Sequence, residues 1–372
     1  MRTRLILALA LLVFLTSSLL AAENDGSQVV SSTVPLLHTR QVLSPDEDAT
    51  AAVREVIGIV GTAGGINTLI LKANVVAATQ EIADKARTTI SNELARRGGP
   101  RMTFVVGALP HGRKIGIDVI AVSKGRTPVE TSLGRTLPPG PRVYISGQAE
   151  KGASPAEAAA KTIASLLKTL HFVGADKSDA VQAKCFLSPM SAASDVVAEF
   201  DKVFGKEKLP LVFVEWKSDL PIEIELIAAA PPAAPDAPPI EFLTPPDVKP
   251  SPLFARVVRI NRGQLIYTSG LYAEEPGTGE AQVLAIFNRL KREMTTVQSD
   301  MHHLAKATYY VSDDDASRQL NVLRPKFYDP ARPPAASKAM VSGVGMRDRS
   351  ISIDMIGVVA EEKPGARSPQ PE

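Results

Sequence analysis

The chain has 372 residues, 44% of them hydrophobic, and is therefore long enough for two or three domains with cores of their own. Its formal net charge of +2 lacks the basic excess typical of nucleic-acid binders, which disfavours a nuclease or another nucleic-acid-binding protein. A single cysteine, Cys185, excludes an intramolecular disulfide, so we expect packing alone to hold the fold together.

The first 22 residues have the pattern of a secretory signal peptide. Arg2 and Arg4 precede an apolar run at 5–15, and small residues end at Ala22. We therefore predict cleavage after Ala22 and a periplasmic or secreted mature protein with a formal charge of zero and no membrane span. A retained membrane anchor is the alternative, because Leu20 is not the small residue that cleavage favours. The apolar run is nevertheless short for a bilayer-spanning helix.

The rest of the chain is predicted to repeat one order of elements three times. Early strands are predicted at 36–42, 143–149 and 265–272, and first helices at 49–60, 155–170 and 280–294. A strand follows at 69–76, 181–187 and 304–311, and a second helix at 78–97, 192–204 and 315–327. Alternating apolar residues predict two final strands per unit, each pair forming a β-hairpin, at 102–121, 211–228 and 338–357.

These repeats predict three α+β units, each a mostly antiparallel sheet with two helices on one face, at 30–123, 128–230 and 253–360. Residues 231–252 are dense in proline and are predicted to form a stiff linker, with a proline-rich recognition ligand as the alternative. Residues 361–372 are predicted to be a disordered tail. Because each sheet has one bare face, we expect the units to pack as an intramolecular pseudo-trimer; beads on a string are the alternative.

Three stretches resemble a known family. They are the early-strand pairs Ser146-Gly147 and Ser269-Gly270, the strand at 305–313, and the final strands of each unit. Through these residues the chain resembles three tandem, diverged copies of a domain of the Rid family (RidA or YjgF-like, also labelled endoribonuclease L-PSP). The resemblance implies a chorismate-mutase-like fold and ligand clefts between trimer subunits. It also implies hydrolysis of enamine and imine acids to 2-keto acids and ammonia, without a metal or an organic cofactor.

The resemblance further implies that an arginine at the start of the final hairpin holds the substrate carboxylate, and that a glutamate on the last strand positions the attacking water. A guanidinium grips a carboxylate at two points, and a carboxylate takes a proton from water. The arginine position falls on Arg101, Val212 and Ala336, and the glutamate position on Gly116, Glu223 and Ser352. No copy has both residues. The first copy keeps the arginine as Arg101, and the second copy keeps the glutamate as Glu223. Together they predict one composite catalytic cleft between neighbouring units.

Two functions stay open at this point. One is hydrolysis of a small imine or enamine acid by Arg101 and Glu223, with Ser146, Gly147, Ser269 and Gly270 as further substrate-binding residues. The other is a catalytically degenerate scaffold that binds a small carboxylate-bearing metabolite or has a structural or interaction role. In that second case Arg101, Glu223 and Glu225 are ordinary surface residues, and the serine-glycine pairs form tight strand turns. No metal site is predicted, because the adjacent side chains of His302-His303 point apart.

Overall fold

The computed structural model describes residues 27–65, 67–125, 133–205 and 207–359. The predicted signal peptide and the predicted tail lie outside these residues. In the described part of the chain, no helix combines the length and the apolar character needed to cross a membrane.

Three mixed sheets, each with two helices, follow one another along the chain. The first unit contains β2 (Leu36–Thr39), β3 (Val42–Ser44), α1 (Thr50–Gly64), β4 (Ile70–Ala77), α2 (Gln80–Leu94), β5 (Arg101–Val106) and β6 (Ile115–Val122). The second contains β8 (Arg142–Gln148), α3 (Pro155–Phe172), β9 (Ala180–Leu187), α4 (Ala193–Phe204), β10 (Leu211–Glu215) and β11 (Ile222–Ala229). The third contains β14 (Gln264–Tyr267), α5 (Gly279–Thr296), β15 (Leu304–Val311), α6 (Asp314–Leu323), β16 (Ala335–Met340) and β17 (Ile351–Val359).

The helices begin where the sequence places capping residues. The Ser154 side chain accepts a hydrogen bond from the Glu157 N–H, and Pro155 occupies the first turn of α3. Thr79, Thr278 and Asp313 cap α2, α5 and α6 in the same way. Each cap satisfies an N–H group that has no partner inside its helix, which fixes the start of the helix.

The final two strands of each unit do not form a hairpin, so that prediction is wrong. β4 lies between β5 and β6, pairing parallel with β5 and antiparallel with β6. The other two sheets have the same central order, β10-β9-β11 and β16-β15-β17. Alternation of apolar residues identifies a strand but not its neighbour. Here a helix returns the chain to the starting end of the sheet, which makes the next strand parallel.

Each sheet packs its helices on one face and a shared interior on the other. Ile120, Ile227 and Ile356, at matching positions on β6, β11 and β17, belong to one buried apolar cluster built from all three sheets. A one-residue bulge recurs at the same place on β4, β9 and β15 and leaves three residues unpaired, namely Leu71, Val181 and Ala305. All three join that cluster. The repeat therefore extends to a local irregularity that adds a side chain to the shared interior.

A layer of buried charge lies in the same interior. Two positions before those isoleucines, β6, β11 and β17 carry Asp118, Glu225 and Asp354. Lys306 Nζ lies 2.7 Å and Lys184 Nζ 3.6 Å from Glu225 Oε1. Lys72 Nζ lies 2.7 Å from Asp354 Oδ1. Glu225 is 3% exposed and so is not the solvent-facing residue of the alternative interpretation.

Strands that precede each unit complete the sheet of a different unit. These are β1 (Gln28–Ser31), which pairs with β14; β7 (Gly134–Leu137), which pairs with β2; and β13 (Val257–Ile260), which pairs with β8. The exchange links the three sheets in a closed ring. The predicted proline-rich linker also contains a strand, β12 (Ile240–Leu243), which pairs with β13 at the edge of the second sheet.

Candidate functional site

The edge strands β5, β10 and β16 each meet another sheet, and the three meetings are equivalent. The Gly270 N–H donates to the Met102 carbonyl of β5 (2.8 Å), and the Gln41 N–H donates to the Leu211 carbonyl of β10 (3.0 Å). The edge strand β16 lies beside β8 of the second sheet. The predicted arginine and glutamate positions fall at these three interfaces, so each interface is a potential cleft.

The interface of β10 with the first sheet is filled by Gln41. Its carboxamide donates to the Phe213 carbonyl (3.1 Å) and accepts from the Phe213 N–H (3.2 Å). A Cβ atom built on Gly116, the residue at the glutamate position, would lie 2.8 Å from the same carboxamide. The space that a catalytic glutamate would occupy is therefore taken by an amide bound to the backbone.

The interface of β5 with the third sheet is also tightly packed. A Cβ atom on Gly270 would lie 3.1 Å from Ser352 Oγ and 3.3 Å from Thr103 Cα. Arg101 begins β5 opposite Lys72 and is 8% exposed, so it is a buried residue rather than an ordinary surface arginine. Ser352, and not a carboxylate, stands at the glutamate position here.

Beside the interface of β16 with the second sheet lies an open cavity of about 910 Å³, lined by residues of β8, α3 and β11 and by the segment at 245–256. Glu223 lines it, together with Gly147 at the end of β8. A Cβ atom on Gly147 would lie 2.0 Å from Glu223 Oε1. Glycine is thus required here because the carboxylate rests against the β8 backbone. The structure therefore brings together Glu223 and Gly147, two of the residues predicted from the sequence.

An arginine that the sequence analysis missed also lines this cavity. Arg256 lies just before β13, its Nη1 donates to the Gly147 carbonyl (3.3 Å), and its guanidinium carbon lies 5.6 Å from the centre of the Phe254 ring. The sequence alignment places Ala336 at the arginine position, but the strand register is shifted by one residue: Ala335 pairs with Lys306 as Arg101 pairs with Lys72. Neither alanine carries a guanidinium, and Arg256 supplies one from a different segment. It lies outside every motif stretch, and the sequence contains no signal that would have found it.

The Glu223 carboxyl group has an acidity suited to proton transfer. Burial raises its pKa to about 7, and the neighbouring charge of Glu225 adds to the rise, while the Ser337 hydroxyl and the Arg256 guanidinium oppose it. Near neutral pH both the acid and the carboxylate form are populated. A group in this range is able to take a proton from water and return it to a leaving group.

The remaining predicted residues lie on two different interfaces. Ser146 is buried next to the cavity wall, where its N–H donates to the Arg256 carbonyl (3.0 Å). Gly270 and the preceding Ser269 follow β14, at the β5 interface. Arg101 belongs to the β5 interface and Glu223 to the β16 interface. The composite pair of Arg101 and Glu223 stays a sequence prediction, with its members in separate interfaces.

Comparison with known proteins gives similarity at the level of solved structures. No protein-family model and no curated protein sequence matches the chain. A Rid-family protein of unknown function from Yersinia pestis matches with 19% identity over 32% of this chain and 99% of its own, at a TM-score of 0.30. A YjgF-family member from Neisseria meningitidis matches with 19% identity over 33% and 97%, at 0.26. RidA from an Antarctic Psychrobacter matches with 17% identity over 26% and 80%, at 0.24. These similar structures belong to the family that the sequence resembles, and each matches about one unit of this chain.

Proposed function

We propose that the cavity between the second unit and the segment at 245–256 is a site at which a small imine or enamine acid is hydrolysed to a 2-keto acid and ammonia. One observation carries the proposal: Glu223, whose pKa is raised to about 7, shares a cavity with the guanidinium of Arg256. An acid-base group and a carboxylate-binding group in one cavity are the two components that this reaction needs. No metal or organic cofactor enters the proposed chemistry.

In the proposed reaction Arg256 binds the substrate carboxylate through its planar N–H groups. The Glu223 carboxylate takes a proton from water as the water oxygen adds to the carbon of the C=N bond. When the substrate nitrogen starts protonated, the adduct is a neutral carbinolamine. The proton on Glu223 passes to its nitrogen, the C–N bond breaks, and the hydroxyl proton leaves with the nitrogen as ammonium. The carbonyl forms, and Glu223 returns to its starting state. Water is consumed, and no oxidant or reductant is needed.

The test is hydrolysis of freshly generated 2-iminopropionate by the purified chain. We expect Glu223→Gln to lower kcat by about 10²- to 10⁴-fold, the usual contribution of a general acid-base group. Arg256→Gln should lower kcat/KM by about tenfold to a hundredfold, because it removes a charged hydrogen bond. The rate should rise as the pH passes through about 7, where Glu223 loses its proton.

The matched control is Arg101→Lys, which alters the arginine of the other interface and should leave the rate within about twofold of the unaltered chain. A large loss in Arg101→Lys, with Arg256→Gln active, would instead support the composite pair predicted from the sequence. A rate no greater than spontaneous hydrolysis, with the chain folded, would contradict the enzymatic proposal.

The filled state of the other two interfaces favours a second candidate, a degenerate scaffold with one carboxylate-binding cleft. Gln41 and the close packing around Gly270 occupy two of the three equivalent positions. This candidate predicts that pyruvate binds in an Arg256-dependent way while the imine is not turned over. Titration calorimetry with pyruvate, beside the rate assay, distinguishes the two.

We also propose that the units are related by a pseudo-threefold axis through the shared interior. Support comes from Ile120, Ile227 and Ile356, which meet in one cluster, and from the three equivalent edge-strand interfaces. A crystal structure in which successive units superpose by thirds of a turn would agree with the proposal. An elongated envelope in solution scattering would contradict it.

The proposed location is the periplasm or the exterior, on the strength of the pattern at residues 1–22. Expression in a Gram-negative host, followed by N-terminal sequencing of the periplasmic fraction, tests this proposal. The expected mature protein begins at Glu23. Recovery of the intact N-terminus in the membrane fraction would favour the retained anchor.

A further inference from the structure

The cavity at Glu223 is much larger than its proposed reaction requires. At about 910 Å³ it lies near the top of the roughly 300–1,000 Å³ range of pockets that enclose drug-sized ligands. An acid the size of pyruvate, held between Glu223 and Arg256, would leave most of this space empty. The remaining volume has room for a second part of the ligand.

Part of the remaining cavity lining is an apolar wall, beside polar and charged residues that include Glu150, Lys168 and His171. Phe172, at the last position of α3, lines it and is 43% exposed. Phe254 and the prolines Pro245 and Pro246 line it as well, together with Val248. An exposed aromatic side chain inside a concave, proline-lined site is typical of a surface that binds an apolar group.

The segment that forms part of this wall is tied in place. Within the predicted linker, the Val248 N–H donates to the Pro245 carbonyl (3.0 Å), which closes a turn. Asp247 forms an ion pair with Lys168 of α3. Pro245 is buried, and β12 anchors the segment on the second sheet just before it. The proline-rich stretch is therefore a fixed part of the cavity rather than only a spacer.

We propose that this wall is a second subsite, and that the ligand is a 2-imino, 2-keto or 2-hydroxy acid with an aromatic or long aliphatic side chain. The carboxylate binds at Arg256, and the side chain lies between Phe172 and the segment at 245–248. This inference rests on the proposed function for the carboxylate end only. The assignment of the apolar end rests on the apolar lining residues and on the volume of the cavity.

The experiment measures binding of two stable probes, lactate and 3-phenyllactate, to the full chain by titration calorimetry. The probes differ by one phenyl ring. We expect 3-phenyllactate to bind at least about tenfold more tightly, since burying a ring of this size contributes that much affinity or more. Phe172→Ser should remove most of that preference and leave lactate binding unchanged.

Val322→Ser is the matched control, because Val322 is another exposed apolar residue (54%, against 43% for Phe172) that lies on α6 and does not line the cavity. It should leave both affinities unchanged. Equal affinities for the two probes, both lost in Arg256→Gln, would overturn the apolar subsite and leave the carboxylate site standing. Failure of both probes to bind would overturn the carboxylate site and this inference with it. A preference that survives Phe172→Ser would place the ring elsewhere and overturn the assignment.

Discussion

Glu223 and Glu225 lie two residues apart on β11 with their side chains on the same face of the sheet, yet their chemistry is opposite. Burial favours the neutral form of both. At Glu225 the ammonium groups of Lys306 and Lys184 outweigh burial and hold the pKa below its ordinary value. At Glu223 burial prevails over the Arg256 guanidinium, and the pKa rises to about 7. The charged partner, and not depth alone, separates a structural carboxylate from a reactive one.

Substitution of Glu225, the structural carboxylate, should change stability the most. Glu225→Ala leaves Lys306 and Lys184 buried without their shared counter-ion, and we expect it to lower the free energy of unfolding by about 3–5 kcal/mol. Urea denaturation followed by circular dichroism measures this. A loss below about 1 kcal/mol would mean that other groups already compensate the two lysines.

The second effect has the opposite sign and depends on pH. Folding raises the pKa of Glu223, so the folded chain binds the carboxyl proton more tightly than the unfolded chain does. The stability that this bound proton contributes is lost as the pH rises through about 7. Glu223→Gln should therefore be neutral at pH 4 and more stable than the unaltered chain by about 1–3 kcal/mol at pH 8. Denaturation at the two pH values checks this, and a variant that is less stable at pH 8 would refute it.

The third effect tests the close approach of the carboxylate to β8. Gly147→Ala places a methyl group where Glu223 Oε1 now lies, so the carboxylate must move. We expect a stability loss of about 1–2 kcal/mol from overpacking. We also expect imine hydrolysis to fall at least about tenfold, since misplacing a catalytic group is costly. Gly58→Ala serves as the comparison for substitution at an open glycine, where a Cβ atom meets nothing within 4 Å.

The smallest effect on stability is expected at the ion pair between Lys168 and Asp247, which lines the cavity. Lys168→Gln breaks an ion pair between two exposed side chains, and exposed pairs contribute little to stability. The unfolding midpoint should stay unchanged, and the preference for 3-phenyllactate over lactate should fall by less than about threefold. Calorimetry on this variant measures how far the ion pair itself holds the apolar wall. A larger fall would make the pair a principal determinant of ligand preference.

Much of the local structure is predictable because it depends on local chemistry. The order of strands and helices, and the Ser154 cap of α3, follow from periodicity and capping residues. Strand pairing is not local, and for that reason the hairpin prediction failed: nothing in β5 or β6 alone indicates that β4 lies between them.

The candidate site was predictable only where the motif alignment reached it. Glu223 and Gly147 stand at motif positions and do meet at the cavity. The segment at 245–248 lies where composition suggested a spacer, and Arg256 lies near the start of the predicted third unit, ahead of its motif stretches. Their role depends on the path that the chain takes across the second sheet, and amino-acid composition does not determine that path.

The exchange of strands has a consequence for how the molecule is made. β1 is the first described strand to leave the ribosome, and its partner β14 lies in the third unit. Since domains generally fold as they emerge, β1 must wait unpaired while the first two units form. Until synthesis has passed Tyr267, the growing chain carries an open sheet edge of the kind that invites association with other chains. The chain is therefore prone to association until its last third has been synthesised, and chaperones that shield unpaired strands would act during that time.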